Sequence, residues 1–204
     1  MSTGIVDYGM GNIGSLRNAF NHLEDDAQLI REPEEARKYD RLVLPGVGAF
    51  NQAIRSLETT GMDVALQDCA AKGVPILGVC LGMQLLCTQS YEEGLHAGLD
   101  FIEASVKPFI PTEKLKVPHM GWNSIHPEMK HDVTEHLQPG SDAYFVHSYH
   151  VQCDDRRNMV ASSNHGVDFA SIIGRDNLIG MQFHPEKSQG VGLQLLKSFI
   201  DWRP

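Results

Sequence analysis

Cys80 stands in the run Gly78-Val79-Cys80-Leu81-Gly82, with an apolar segment before it and a helical pattern after it. A nucleophile with glycine two residues away on either side is the pattern of a strand–turn–helix elbow, here with sulfur in place of a serine hydroxyl. The turn is tight enough that side chains at those two positions would block the chain. The helix that follows directs the positive end of its dipole at the sulfur, where an anion is stabilised. The amide N–H of Leu81 falls where a developing oxyanion needs a donor. The plainer reading of the same five residues is a core thiol between two chance glycines, since free cysteine is among the most often buried residues.

A cysteine nucleophile needs a base. His184-Pro185-Glu186 directly follows the apolar segment Leu178 to Phe183, which places His184 at a strand end. Glu186 can accept the proton of the other ring nitrogen, fix the tautomer and favour the imidazolium. Pro185 stiffens the pair. A third segment, Pro45-Gly46-Val47-Gly48-Ala49-Phe50, also follows a buried strand, and the Val47 and Gly48 amides can complete the oxyanion hole that Leu81 begins. Each segment has a bland reading, a surface turn for the one and a flexible loop for the other. Together they follow three strands, and in a doubly wound sheet the working groups gather at the carboxyl ends of the strands. Zinc on Cys80, His184 and Glu186 is a weaker reading, because no pattern supplies the outer hydrogen-bond partners that ligands need.

The elements that position these residues are legible in the apolar periodicity. A strand at Ile5 to Asp7 leads through a glycine-rich turn into a helix with Leu16, Ala19, Phe20 and Leu23 on one face. Strands are expected at Ala27 to Ile30, Arg41 to Leu44 and Val74 to Val79, and helices from Pro33, over Met62 to Lys72, and from Met83 to Thr88. Strand and helix alternate, which implies an open, mostly parallel α/β sheet with helices on both faces. The second half adds strands at Phe101 to Val106, Tyr144 to Val146, Val151 to Cys153, Met159 to Ser163 and Leu178 to Phe183, then a helix from Gln189 to Trp202. Lys107 to Gly140, with its prolines and charges, reads as loop-rich surface.

With 204 residues the chain is expected to form a single domain spanning 1–204, large enough to bury a two-sided sheet without disulfides or a metal. The net charge is −9 and no basic run occurs, which disfavours nucleic acid as a partner. Cys69, Cys80, Cys87 and Cys153 form no CxxC pair and no zinc spacing. Cys69 and Cys87 fall in helical patterns as buried thiols. No signal peptide is evident and no apolar run approaches the ~20 residues of a bilayer span, so a cytoplasmic protein is expected.

The three segments, in this order, resemble the class I (triad) glutamine amidotransferases over nearly the whole chain. The resemblance implies a Cys80–His184–Glu186 triad that hydrolyses the amide of L-glutamine without metal or organic cofactor. It further implies that Gly46, Gly82 and Gln84 help hold the substrate, and that the backbone of His147-Ser148-Tyr149 clamps its α-amino and carboxylate groups. Within the class, Val6 to Asn12, Leu44 to Gly48, Pro118 to Asn123 and Phe145 to Tyr149 are similar to the glutaminase subunits of imidazole glycerol phosphate synthase. Those subunits pass ammonia to a cyclase subunit, a (β/α)8 barrel, in histidine biosynthesis. Ile13-Gly14-Ser15, Leu115 to Asn123 and His150 to Cys153 lean instead towards a paralogous branch that feeds an N-sugar amidotransferase in surface-polysaccharide synthesis. In either branch the strand-end edge carrying Cys80 must face the partner. His119, Trp122, Asn123 and Lys187 are the expected interface residues, with Trp122 as the aromatic anchor and His119 and Asn123 hydrogen-bonding across.

Overall fold

A computed structural model describes residues 2–113 and 115–204 of the chain. Lys114, within the stretch read as loop, lies outside the described residues. The first half runs β1 (Thr3–Val6), α1 (Ile13–His22), β2 (Gln28–Ile30), α2 (Pro33–Ala36), β3 (Arg41–Gly46), α3 (Phe50–Thr60) and α4 (Met62–Ala71). The elbow follows as β4 (Ile76–Cys80) and α5 (Leu81–Leu85), and then β5 (Cys87–Ser90), β6 (His96–Ala97) and β7 (Ile102–Pro108). The second half holds β8 (His119–Pro127), β9 (Ser141–His147), β10 (Tyr149–Cys153), β11 (Met159–Asn164), β12 (Asp168–Arg175), β13 (Leu178–Met181) and α6 (Gln189–Asp201).

The order β2-β1-β3-β4-β13 is parallel throughout and forms the half of the sheet that matters for chemistry. Its strands are buried on both faces, so their side chains divide by parity. Val6, Leu42, Leu44 and Ile76 pack on one side with Phe50, Leu57 and Leu66 of α3 and α4. Ile5, Val43, Leu77 and Ile179 pack on the other with Leu16 and Phe20 of α1 and Leu196 and Phe199 of α6. Beyond β13 the sheet continues through β12, β10 and β7, joined by antiparallel pairings, to β5 and β6 at the edge. β8 and β9 make an antiparallel hairpin, from His119 opposite His147 to Ile125 opposite Ser141, which joins the rest through β11.

Several elements depart from the sequence reading. α3 was not expected at all, because its apolar stripe is only Phe50, Ala53 and Leu57. The helix after the elbow stops at Leu85, and Cys87 lies in β5, buried as expected but in a strand. Leu85-Leu86-Cys87-Thr88 is a short apolar run, which periodicity alone cannot assign. Lys107 to Gly140 holds the nine-residue strand β8, so it is not loop throughout. Buried positions of β8 are filled by histidine as well as isoleucine, which masks its alternation.

Candidate active site

The carboxyl ends of β3, β4 and β13 converge, as parallel strands in one register must: Gly46 lies opposite Cys80, and Met181 opposite Val79. Cys80 closes β4 with φ +55° and ψ −112°, in the left-handed region that a side chain normally avoids. The elbow forces it there. A Cβ on Gly82 would strike the Leu44 carbonyl, and one on Gly78 would lie 2.6 Å from the Gly82 oxygen. The expectation that both flanking positions must lack side chains therefore holds.

His184 follows β13 and is fixed at both ends of its backbone. Its N–H donates to the Tyr144 carbonyl at 2.9 Å, and its own carbonyl accepts from the Ser188 hydroxyl at 2.7 Å. That Ser188 oxygen in turn accepts from the Tyr144 N–H at 3.0 Å, so one hydroxyl couples β9 to the turn that carries the base. Nδ1 pairs with Glu186 Oε1 at 2.9 Å, with both side chains almost wholly buried. Nε2 is buried and makes no hydrogen bond of ordinary length; the Cys80 sulfur acts on the ring as a long-range hydrogen-bond partner and through its charge. Burial alone would lower the His184 pKa; Cys80 and Glu186 act the other way and raise it to about 9.

Two contributors went unseen in the sequence. Asn12 Nδ2 donates to Glu186 Oε1 at 3.1 Å from the turn between β1 and α1. Glu92 lines the same cavity as Cys80 and accepts the Phe50 N–H at 2.7 Å at the start of α3. Burial raises its pKa, while that hydrogen bond and nearby His96 act against the rise. Asn12 stands in the glycine-rich turn after β1, but nothing in that turn points to a carboxylate 174 positions away, and Glu92 stands in no motif at all.

The cavity measures about 480 Å³, and Val47, Gly48, Leu81, Gln84, His147, Ser148, Tyr149, His184 and Lys187 line it beside Cys80. Gly46 and Gly82 pack behind the wall: a Cβ on Gly46 would meet Leu81 Cβ and the Tyr8 hydroxyl, each at 2.8 Å. Gln84 is buried and donates to the Tyr149 carbonyl at 3.1 Å and to Gln182 Oε1 at 3.0 Å. In this geometry its amide braces the backbone of the cavity wall.

Trp122 is half exposed on the outer face of the hairpin, beside Met120, and its ring meets Tyr144 edge-on at 6.0 Å between centroids. The Lys187 ammonium lies 5.9 Å from the same Tyr144 ring. Trp122 does not plug a local core. His119 and Asn123 point the other way and correct the interface expectation. His119 is 5% exposed, with Nδ1 on His147 at 2.8 Å and Nε2 on Asn123 at 3.1 Å. Asn123 Nδ2 also donates to the Asn164 carbonyl at 2.9 Å, and its Oδ1 accepts the Ser124 N–H at 2.8 Å. With those atoms engaged inside the fold, neither side chain is free to hydrogen-bond across an interface.

A thiol on a strained turn, with an imidazole of raised pKa at its flank and backbone amides around it, has the parts that acyl transfer through sulfur requires. The glutamine amidotransferase class-I family model matches residues 4–202, and the chain belongs to that family. It is 44% identical over 202 residues to the imidazole glycerol phosphate synthase subunit HisH of Sulfurimonas denitrificans, covering 98% of this chain and 97% of that one. The subunit of the same name from Wolinella succinogenes is 44% identical over 201 residues, covering 97% and 98%. A solved glutamine amidotransferase from Thermotoga maritima shares the fold at TM-score 0.70 and 14% identity, over 98% of this chain and 96% of that one.

Proposed function

We propose that this chain acts as one domain, the glutaminase subunit of an imidazole glycerol phosphate synthase: L-glutamine and water become L-glutamate and ammonia, and the ammonia passes to a cyclase subunit. The observation that carries the reading is Cys80 and His184 on the wall of one cavity sized for an amino acid, with Glu186 behind the ring on His184 Nδ1, within a chain of this family. The Cys80 thiolate attacks the side-chain carbonyl carbon of glutamine. The oxyanion is held by the Leu81 N–H and a Val47 or Gly48 amide. His184, protonated beside sulfur and Glu186, gives its proton to the leaving nitrogen, and ammonia departs from a glutamyl thioester. Water then attacks the thioester with His184 as base, releasing glutamate and restoring the thiol. The Ser148–Tyr149 backbone and the Glu92 carboxylate hold the α-carboxylate and α-ammonium of the substrate.

The cavity mouth and the outer hairpin face adjoin: Pro118, Val146 and Lys187 line the cavity, while Met120, Trp122 and Tyr144 extend outward from it. An apolar, aromatic patch beside the exit is where a cyclase of (β/α)8 architecture docks and receives ammonia away from bulk water. No described helix is long and apolar enough to cross a membrane, and we place the complex in the cytoplasm. Both relatives named above carry the imidazole glycerol phosphate synthase name, which favours that acceptor over the sugar-amidating branch.

The test is glutamate release from glutamine by this chain, alone and with a histidine-pathway cyclase loaded with its nucleotide substrate. Stimulation by the loaded cyclase is expected. Stimulation only by a sugar amidotransferase would overturn the choice of acceptor, and no glutamate under any condition would overturn the hydrolysis.

A further inference from the structure

Between the hairpin and the substrate cavity runs a series of hydrogen bonds that the reaction itself does not use. His147 Nδ1 lies 2.7 Å from the Tyr149 carbonyl oxygen, which only accepts, so Nδ1 carries the proton. His147 Nε2 lies 2.8 Å from His119 Nδ1, and His119 Nε2 lies 3.1 Å from Asn123 Nδ2. The Asn123 amide is oriented independently, by the Ser124 N–H that its oxygen accepts and the Asn164 carbonyl to which its nitrogen donates. Backbone groups at both ends therefore impose the same solution: two neutral imidazoles, each protonated on Nδ1. Burial lowers the pKa of His119 to about 4 and of His147 to about 3, so both rings stay uncharged at neutral pH. His119 is gripped between the rings of Phe145 and His165, at 4.9 and 4.2 Å between centroids, and has little freedom to reorient.

We infer that His119 and His147 are positioning residues, forming with Asn123 a run of hydrogen bonds with fixed proton placement that sets the Ser148–Tyr149 backbone of the substrate cavity and ties it to β8. The inference rests on the proposed glutamine hydrolysis for its kinetic consequence, though not for its proton placement. The Tyr149 carbonyl accepts from two sides, His147 and Gln84, and so its plane is set by both. The opposite face of β8 carries Met120 and Trp122. A shift of that strand is thus transmitted to the wall that grips the α-carbon end of the substrate, while Cys80, carried by β4 between β3 and β13, is outside this run of hydrogen bonds.

Two readouts separate positioning from mere stability. In the full chain assayed with its synthase partner, His119→Phe keeps the ring packing and breaks both hydrogen bonds, and Asn123→Ala removes the far end of the run. Each is expected to raise the KM for glutamine roughly 3- to 10-fold, the scale of one hydrogen bond. Alkylation of Cys80 by iodoacetamide, which needs no α-carbon clamp, is expected to stay within about twofold of wild type, well below the effect of one hydrogen bond. His119→Gln, which can donate and accept at the same two places, is expected to recover most of the KM. Unchanged KM in both variants, equal losses in KM and alkylation, or no recovery of KM in His119→Gln would overturn the inference. Nitrogen NMR of wild-type protein gives an answer even if a variant does not fold. Both rings are expected as Nδ1–H tautomers, and an Nε2–H tautomer at either would refute the proposed relay. Absence of glutaminase activity in the wild type would instead strike the functional reading, leaving the tautomer result to stand by itself.

Discussion

Glu186 holds two partners on one oxygen. Oε1 accepts from His184 Nδ1 and from Asn12, while Oε2 is buried with no hydrogen bond. In the proposed mechanism a carboxylate fixed in that way orients the base and favours its charged form without touching the substrate. His184→Ala should therefore lose nearly as much kcat as Cys80→Ala, because nucleophile and base act as one unit and their losses do not add. Glu186→Ala should lose less, and Asn12→Ala less again, since it removes only one of the two groups on Oε1. Steady-state glutamate release ranks the four variants; a wild-type rate in Glu186→Ala would remove that residue from the mechanism. At this scale the sequence was informative where chemistry is punctuated by glycine or proline. Cys80, His184 and Glu186 stand in such runs; Asn12 does too, but its partner Glu186 is 174 positions away, and Glu92 follows the end of β5 in no such run. Only the folded topology brings them in.

Strands β3, β4 and β13 were readable as elements because continuous apolar runs mark strands buried on both faces. The hairpin was half readable: β9 was expected around Tyr144 to Val146, and β8 was hidden among prolines and charges. β12 is not legible although six of its eight residues are buried, since Ser171 and Gly174 break up the apolar run. The hairpin makes its own prediction. Trp122 is half exposed and, among the described rings, packs edge-on against Tyr144 alone, so Trp122→Ala should leave a folded subunit. Its affinity for the cyclase should fall by at least tenfold if Trp122 is an interface anchor, for which truncation costs of 2 kcal/mol or more are typical. Glutamine-dependent synthesis should fall further than ammonium-dependent synthesis. Calorimetric titration of the two subunits measures the first, and unchanged affinity would move the docking face elsewhere on the strand-end edge.

For the molecule as a whole, His184 links folding to pH. Its folded pKa, about 9, lies above the ordinary histidine value near 6.5, so its charged form stabilises the fold. That contribution is complete below about pH 6.5 and is lost as pH rises through about 9. Denaturant midpoints of wild type and His184→Gln should therefore converge between pH 7 and 10, and a constant gap would contradict the assignment. Control of the reaction also belongs to the whole assembly. Val47 is exposed at the cavity rim and Gly48 has φ +111°, a backbone free to turn an amide towards or away from the oxyanion. One oxyanion donor is worth about 10²–10³ in rate, so the lone subunit should hydrolyse glutamine that much more slowly than the complex with its acceptor bound. The most direct test of the account is synthesis by the assembled complex containing Cys80→Ala, supplied in turn with glutamine and with an ammonium salt. The account predicts no product from glutamine and wild-type product from ammonium, because only the source of ammonia is lost. Glutamine-dependent product at a rate near wild type would contradict it.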